Sequence, residues 1–140
     1  MKLSERDAHI LQKMTQHCDE IYETLQYFGA TKEEFLENSI CHGAACMEFQ
    51  LVGEGIKLLS RNILENGLEV PWNRIQEMGD FIKTQYYNAD FEKIWDRIHE
   101  DIPMLREYCA NLLKENNYEI IRVKPLKFPK VSSSTLPRRT

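Results

Sequence analysis

The sequence has no apolar run approaching the roughly 20 residues needed to cross a bilayer, so it offers no membrane-spanning helix. It has no CxxC pair, the usual scaffold of a small zinc fold. It also lacks a glycine-rich phosphate loop, an internal repeat and a strand-rich region, which leaves P-loop chemistry, solenoids and β folds without support. What it does have is helical periodicity over most of its length.

With 140 residues the chain can bury one core but not two, and we expect a domain at 1–116 followed by a separate tail at 117–140. Hydrophobic residues make up 42% and charged residues 29%, close to globular averages, which argues against wholesale disorder. The opening MKLSERDAHI carries charge where a signal peptide needs an apolar stretch, so the expectation is a cytoplasmic protein with reduced cysteines. Cys18, Cys41, Cys46 and Cys109 fall on apolar faces, where free cysteine acts as a small hydrophobe. The net charge of −4 is unevenly spread. Residues 117–140 hold six Lys/Arg against Glu119, leaving the body with twelve Lys/Arg against 21 Asp/Glu, a net −9. An acidic body disfavours general affinity for nucleic acid phosphates.

Ser4 and Asp7 form a capping pattern, and Leu11, Met14, Cys18, Ile21, Leu25 and Phe28 follow at spacings of three and four. The first helix is therefore placed at Glu5 to Phe28, with Gly29 as its C′ residue. Thr31 and Glu34 make a second capping box, and the second helix is drawn from Lys32 to about Leu64, apolar on most sides and so buried on most sides. Its Gly43, Gly53 and Gly55 each cost up to about 1 kcal/mol relative to Ala. Close helix approach would offset that cost, and Gly53 marks where a break would fall. Asn66-Gly67 signals a turn, and Pro71 suits the start of a third helix, Trp72 to Gln85. Asp90 caps the fourth, in which Phe91, Trp95, Ile98, Ile102, Leu105, Cys109 and Leu112 keep a seven-residue period. Pro103 predicts a kink near His99 to Pro103. After Asn116 the periodicity stops. Tyr118 to Val123 reads as a short strand or as an arm along the body or a partner, and the distal tail as disordered. Four amphipathic helices with short loops give an all-α, up-and-down bundle.

Candidate chemistry concentrates between Ile75 and Ile94, IQEMGDFIKTQYYNADFEKI, where a polar, aromatic turn joins two amphipathic segments. Elsewhere, His42 and Cys46 share a helix face, and with His17 and Cys18 they could supply a zinc tetrad. Their place on a seam with Phe35 and Phe49 makes core packing the better reading, so no metal and no cofactor is expected. Glu54, between two glycines in the most apolar helix, calls for a polar cleft. Trp72 and Trp95 read as core or interface anchors. His9 and His99 have no convincing partner.

The blocks YFGATKEEFLEN, LVGEGIKLLS, VPWNRIQEM, YYNADFEKIW and DIPML, in this order between Ile21 and Leu113, resemble the HepT-like family of HEPN-domain proteins. The resemblance implies a homodimeric bundle of four or five helices with a polar cleft at or near the dimer interface. Active members are toxin components of toxin-antitoxin pairs and metal-independent RNases. Their motif is an Arg, four residues, a His, one residue and a Tyr. Cleavage through a ribose 2′-OH needs a base with pKa near neutrality and a fixed cation on the phosphate, roles that suit His and Arg. Laid on this chain, the motif's Met is Met78, its Arg falls on Gly79, the next polar residue on Asp80, its His on Thr84 and its Tyr on Tyr86. Both catalytic positions are replaced, and Asp80 adds negative charge where a phosphate would sit. The scaffold, Glu54, Tyr86, Tyr87 and Asp90 remain. The resemblance also implies a minimal nucleotidyltransferase antitoxin that transfers AMP to the motif Tyr, here Tyr86; the alternative is that Tyr86 packs against the fourth helix. Two competitors stay open. One is an RNase that draws substitute groups from Glu54, Arg74, Lys83 or a partner protomer. The other is a nucleotide-binding helical dimer.

Overall fold

The chain first turns helical at Glu5, where Ser4 Oγ accepts the Asp7 amide at 3.0 Å, one of the bonds a helix start cannot make for itself. The computed structural model describes residues 1–126. Among these it has seven α-helices, one 3-10 turn and no strand. The helices are α1 (Glu5–Tyr27), α2 (Lys32–Glu37), α3 (Ser39–Leu58), α4 (Arg61–Asn66), α5 (Trp72–Gln85), α6 (Phe91–Glu100) and α7 (Ile102–Glu115), with the turn Tyr86–Asn88 before α6. Gly29, at φ +95°, takes the left-handed backbone that closes α1.

The second predicted helix is three pieces, and neither break is at Gly53. Asn38 ends α2 and caps α3, its Oδ1 accepting the amides of Ile40 and Cys41 at 3.0 and 3.2 Å. The second break is at Leu59–Ser60, whose backbone is extended; there the Ser60 amide donates to Asp7 Oδ1 at 3.1 Å. Gly53 stays helical because α5 lies against it. The fourth predicted helix divides at Asp101, with Pro103 in the first turn of α7, where its missing amide costs nothing. The expected kink is thus a joint between two helices.

Packing follows the apolar faces. The α3 helix lies between α1 and α5, α1 also packs on α7, and α6 bridges α7 and α2, an all-α up-and-down bundle. Leu11, Met14, Cys18, Ile21, Phe35, Phe49, Val52, Ile56, Ile75, Ile94, Ile98 and Leu105 are fully buried between them. Each large side chain among them contributes about 1.5–3 kcal/mol. All four cysteines are buried, and burial pushes the Cys46 and Cys109 thiols up to about 12, so they act as apolar filler. Trp72 is buried with its indole N–H donating to Gly67 O at 2.8 Å, and Trp95 packs on Phe35. From Tyr118 to Leu126 the chain has no regular structure, and Gln12 Nε2 donates to Glu119 O at 2.9 Å. The segment is an arm along α1 and not a strand. The distal tail lies outside the described residues.

Candidate functional site

The polar cluster on α3 and α5 depends on how closely these helices approach. Gly53 and Gly79 face each other so tightly that a β-carbon on either would lie 3.3 Å from the other's Cα. That contact buries Gly79 and places the next residue, Asp80, beside the last turn of α3. Lys57 Nζ lies 2.5 Å from Asp80 Oδ1 and 3.2 Å from Glu54 Oε1, and Lys83 Nζ lies 3.7 Å from the same Glu54 oxygen. Two carboxylates and two ammonium groups alternate at the rim of the helix pair, and the carboxylate partners hold the Lys57 ammonium in its charged form, its pKa above the ordinary lysine value. Thr84 is exposed, and its hydroxyl donates back to Asp80 O at 2.9 Å within its own helix. The cluster joins Glu54, Asp80 and Lys83, which the sequence singled out, to Lys57, which it did not. Lys57 lies 23 residues from Asp80, beyond any local pattern.

Tyr86 is half-buried in the 3-10 turn. Its ring meets Phe91 edge-on with centroids 5.6 Å apart, and it lies 6.5 Å from the His42 ring. Its hydroxyl sits over Gly43, 3.5 Å from where a β-carbon would be, and makes no hydrogen bond among the described residues. Burial first, then the nearby Cys46, raises its pKa above the ordinary phenol value. Tyr87 is fully exposed. Asp90 caps α6, accepting the Lys93 amide at 3.1 Å.

The four residues of the zinc alternative do not converge. His42 donates from Nδ1 to Phe35 O at 2.9 Å and stacks on Phe91 at 3.9 Å, while His17 faces Glu48. Arg74 lies away from the Glu54 cluster. Its Nε and Nη2 donate to the two oxygens of Asp101, a wholly buried carboxylate that also receives Arg97 Nη1 at 3.2 Å. A cavity of about 410 Å³ opens between α5 and α6, lined by Arg74, Met78, Phe81, Lys93 and Arg97 with Glu77, Asn88 and Asp90. Sequence reading missed Lys93 and Arg97. Their recurrence four residues apart on the face of α6 beside Asp90 is the signal that could have flagged them.

A family model for the ribonuclease HepT-like proteins matches residues 14–112. The chain belongs to that family. A protein of Caldanaerobacter subterraneus subsp. tengcongensis named as a candidate RNase is 26% identical over 105 residues, 75% of this chain and 92% of its own length. A Methanocaldococcus jannaschii protein, named as a gamma-glutamylcyclotransferase and candidate RNase, is 27% identical over 85 residues, 61% of this chain but 38% of that protein. A Thermococcus cleftensis protein named as a candidate ribonuclease HepT is 27% identical over 82 residues, covering 59% of this chain and 74% of its own. No solved structure matches the chain significantly. As chemistry, the HepT-like cluster offers paired carboxylates and ammonium groups but no imidazole, and no helix among the described residues is long and apolar enough to cross a membrane.

Proposed function

We propose that this HepT-like chain is the non-catalytic binding component of a toxin-antitoxin or minimal nucleotidyltransferase pair, a cytoplasmic homodimer whose RNase motif has decayed. The observation that carries this reading is the pair at the motif positions. Gly79 has no side chain and lies in a helix contact, and the Thr84 hydroxyl is tied to its own helix. Neither can hold a phosphate or take a proton from a 2′-OH near neutral pH. The substitutes are poorly placed as well. Arg74 is committed to Asp101, and Lys83 neighbours Glu54 in a cluster whose charges already balance. The acidic bundle, 1–116, would be the working unit, with Tyr118 and Ile120 of the following stretch packed against it.

Ile40, Ala44, Met47, Leu51 and Leu58 support the dimer. They form one stripe along α3, and Ile40, Met47 and Leu58 are each more than half exposed, at 62%, 56% and 53%. Glu54 borders this stripe, which supports the reading that Glu54, Asp80, Tyr86 and Tyr87 belong to a cleft at or near the interface between protomers. Tyr86 is the AMP acceptor in this reading. The deciding test is metal-free RNA cleavage by the natural chain beside a Gly79→Arg/Thr84→His variant shown by circular dichroism to be folded. We expect no cutting by the natural chain; cutting equal to that of the variant would overturn the proposal. Intact mass of the protein from its native host, with peptide mapping of Tyr86, tests the pairing separately.

A second reading, nucleotide binding, is favoured by the cavity lined by Arg74, Lys93 and Arg97, whose Arg97 Nε is buried without a partner among the described residues. A rise in melting temperature with AMP or ATP would support it, and no shift at millimolar nucleotide would remove it.

A further inference from the structure

On the side of α3 facing α1, away from Gly53 and Glu54, His17, Glu20 and Glu48 bring an imidazole nitrogen and two carboxylate oxygens together, all within 4.8 Å of one another. His17 Nδ1 lies 2.7 Å from Glu48 Oε2 and 3.5 Å from Glu20 Oε2. Three ligands about 2.0–2.2 Å from one ion stand roughly 3–3.5 Å apart, so the spacing suits coordination after small rotamer adjustments. The donors come from two helices. His17 and Glu20 share a face of α1 one turn apart, and Glu48 reaches across from α3. Gln16 Nε2 donates to Glu20 Oε1 at 3.0 Å, which leaves the other Glu20 oxygen turned to the imidazole, the kind of outer support that orients metal ligands.

The charge balance also points to a cation. Both carboxylates are largely shielded from water, with side chains 29% and 22% exposed, and His17 is the sole ion-pair partner of each among the described residues. One imidazolium neutralises half of the pair; a divalent ion neutralises all of it.

We propose that His17, Glu20 and Glu48 form a binding site for one divalent first-row transition metal ion of the zinc class, which clamps α1 to α3. A mixed nitrogen and oxygen donor set selects such ions over magnesium, which prefers oxygen and retains its water.

The test uses the full-length chain stripped of metal with chelator. Titration calorimetry with zinc should show one site per chain, and the melting temperature should rise with zinc. Cobalt(II) should give visible bands of a nitrogen and oxygen site. His17→Ala and Glu48→Gln should each weaken zinc binding at least about tenfold, while His99→Ala should leave it unchanged. Circular dichroism establishes that each variant is folded. Absence of saturable binding, undiminished binding in folded His17→Ala, or sulfur-to-cobalt charge-transfer bands that place the ion on a cysteine would each overturn the proposal.

Discussion

Gly53 on α3 and Gly79 on α5 meet backbone to backbone, each within 3.3 Å of where the other would carry a β-carbon. A single alanine at either position gains about 1 kcal/mol of helix propensity. That gain is offset because the facing backbone must give by a few tenths of an ångström. Two alanines have no slack left to take. The double variant is expected to be less stable than the two singles together predict by at least about 1 kcal/mol. Denaturant unfolding of the four proteins in the cycle measures this, and additive effects would mean that the helices part freely.

Asp101 is expected to be the costliest single charge to remove. It is wholly buried at the α6–α7 joint and receives three hydrogen bonds from Arg74 and Arg97. Asp101→Ala takes away the counter-ion of Arg74, leaves Arg97 with Glu100 alone and should cost about 3 kcal/mol. A loss under 1 kcal/mol in urea unfolding would show that solvent already satisfies the two arginines.

Acid should loosen the contact between the start of α1 and the α3–α4 joint. Asp7 is 4% exposed. Burial alone would raise its pKa, but hydrogen bonds from Ser60 and Ser4 and the charge of Arg6 outweigh it, so the carboxyl lies below its ordinary value of 3.8. A folded-state pKa below the unfolded one gives stabilisation that is full above the unfolded value and is lost as pH falls through the folded one. Asp7→Asn should therefore trail the natural chain by a constant margin at neutral pH. The two unfolding curves should converge below about pH 4.

The Tyr86 ring and its hydroxyl are separable. The ring packs on Phe91 and lies near His42, while the hydroxyl makes no hydrogen bond among the described residues. Tyr86→Phe should stay within about 0.5 kcal/mol of the natural chain and Tyr86→Ala should lose about 1–2 kcal/mol. In the proposed pairing, the Phe variant also loses the AMP acceptor while keeping the fold, and mass spectrometry after exposure to a cognate nucleotidyltransferase reads that difference.

Local chemistry made much of the bundle legible. Ser4, Thr31 and Asp90 announce their helices because a capping oxygen and the amide it serves lie three residues apart, and the structure uses all three. The two breaks in the second predicted helix were hidden because the apolar pattern runs through them. Asn38 carried a capping signal, but Phe35, Leu36 and Ile40 on either side masked it. The motif positions Gly79, Thr84 and Tyr86 were read from blocks of resemblance, whereas their surroundings were not. Lys57 with Asp80, Arg74 with Asp101 and His17 with Glu48 join residues 23, 27 and 31 apart, and periodicity says which face a residue occupies but not which charge stands opposite.

The Asp101 joint also bears on what its neighbouring cavity can hold. Arg74 and Arg97 line that cavity, yet the same guanidinium groups keep α6 and α7 in register through Asp101. An anion entering the cavity competes with a carboxylate already in place, so every hydrogen bond it draws from either arginine slackens the hinge. Tight capture of an anion and a stiff angle between these helices are therefore opposed demands on the same two side chains.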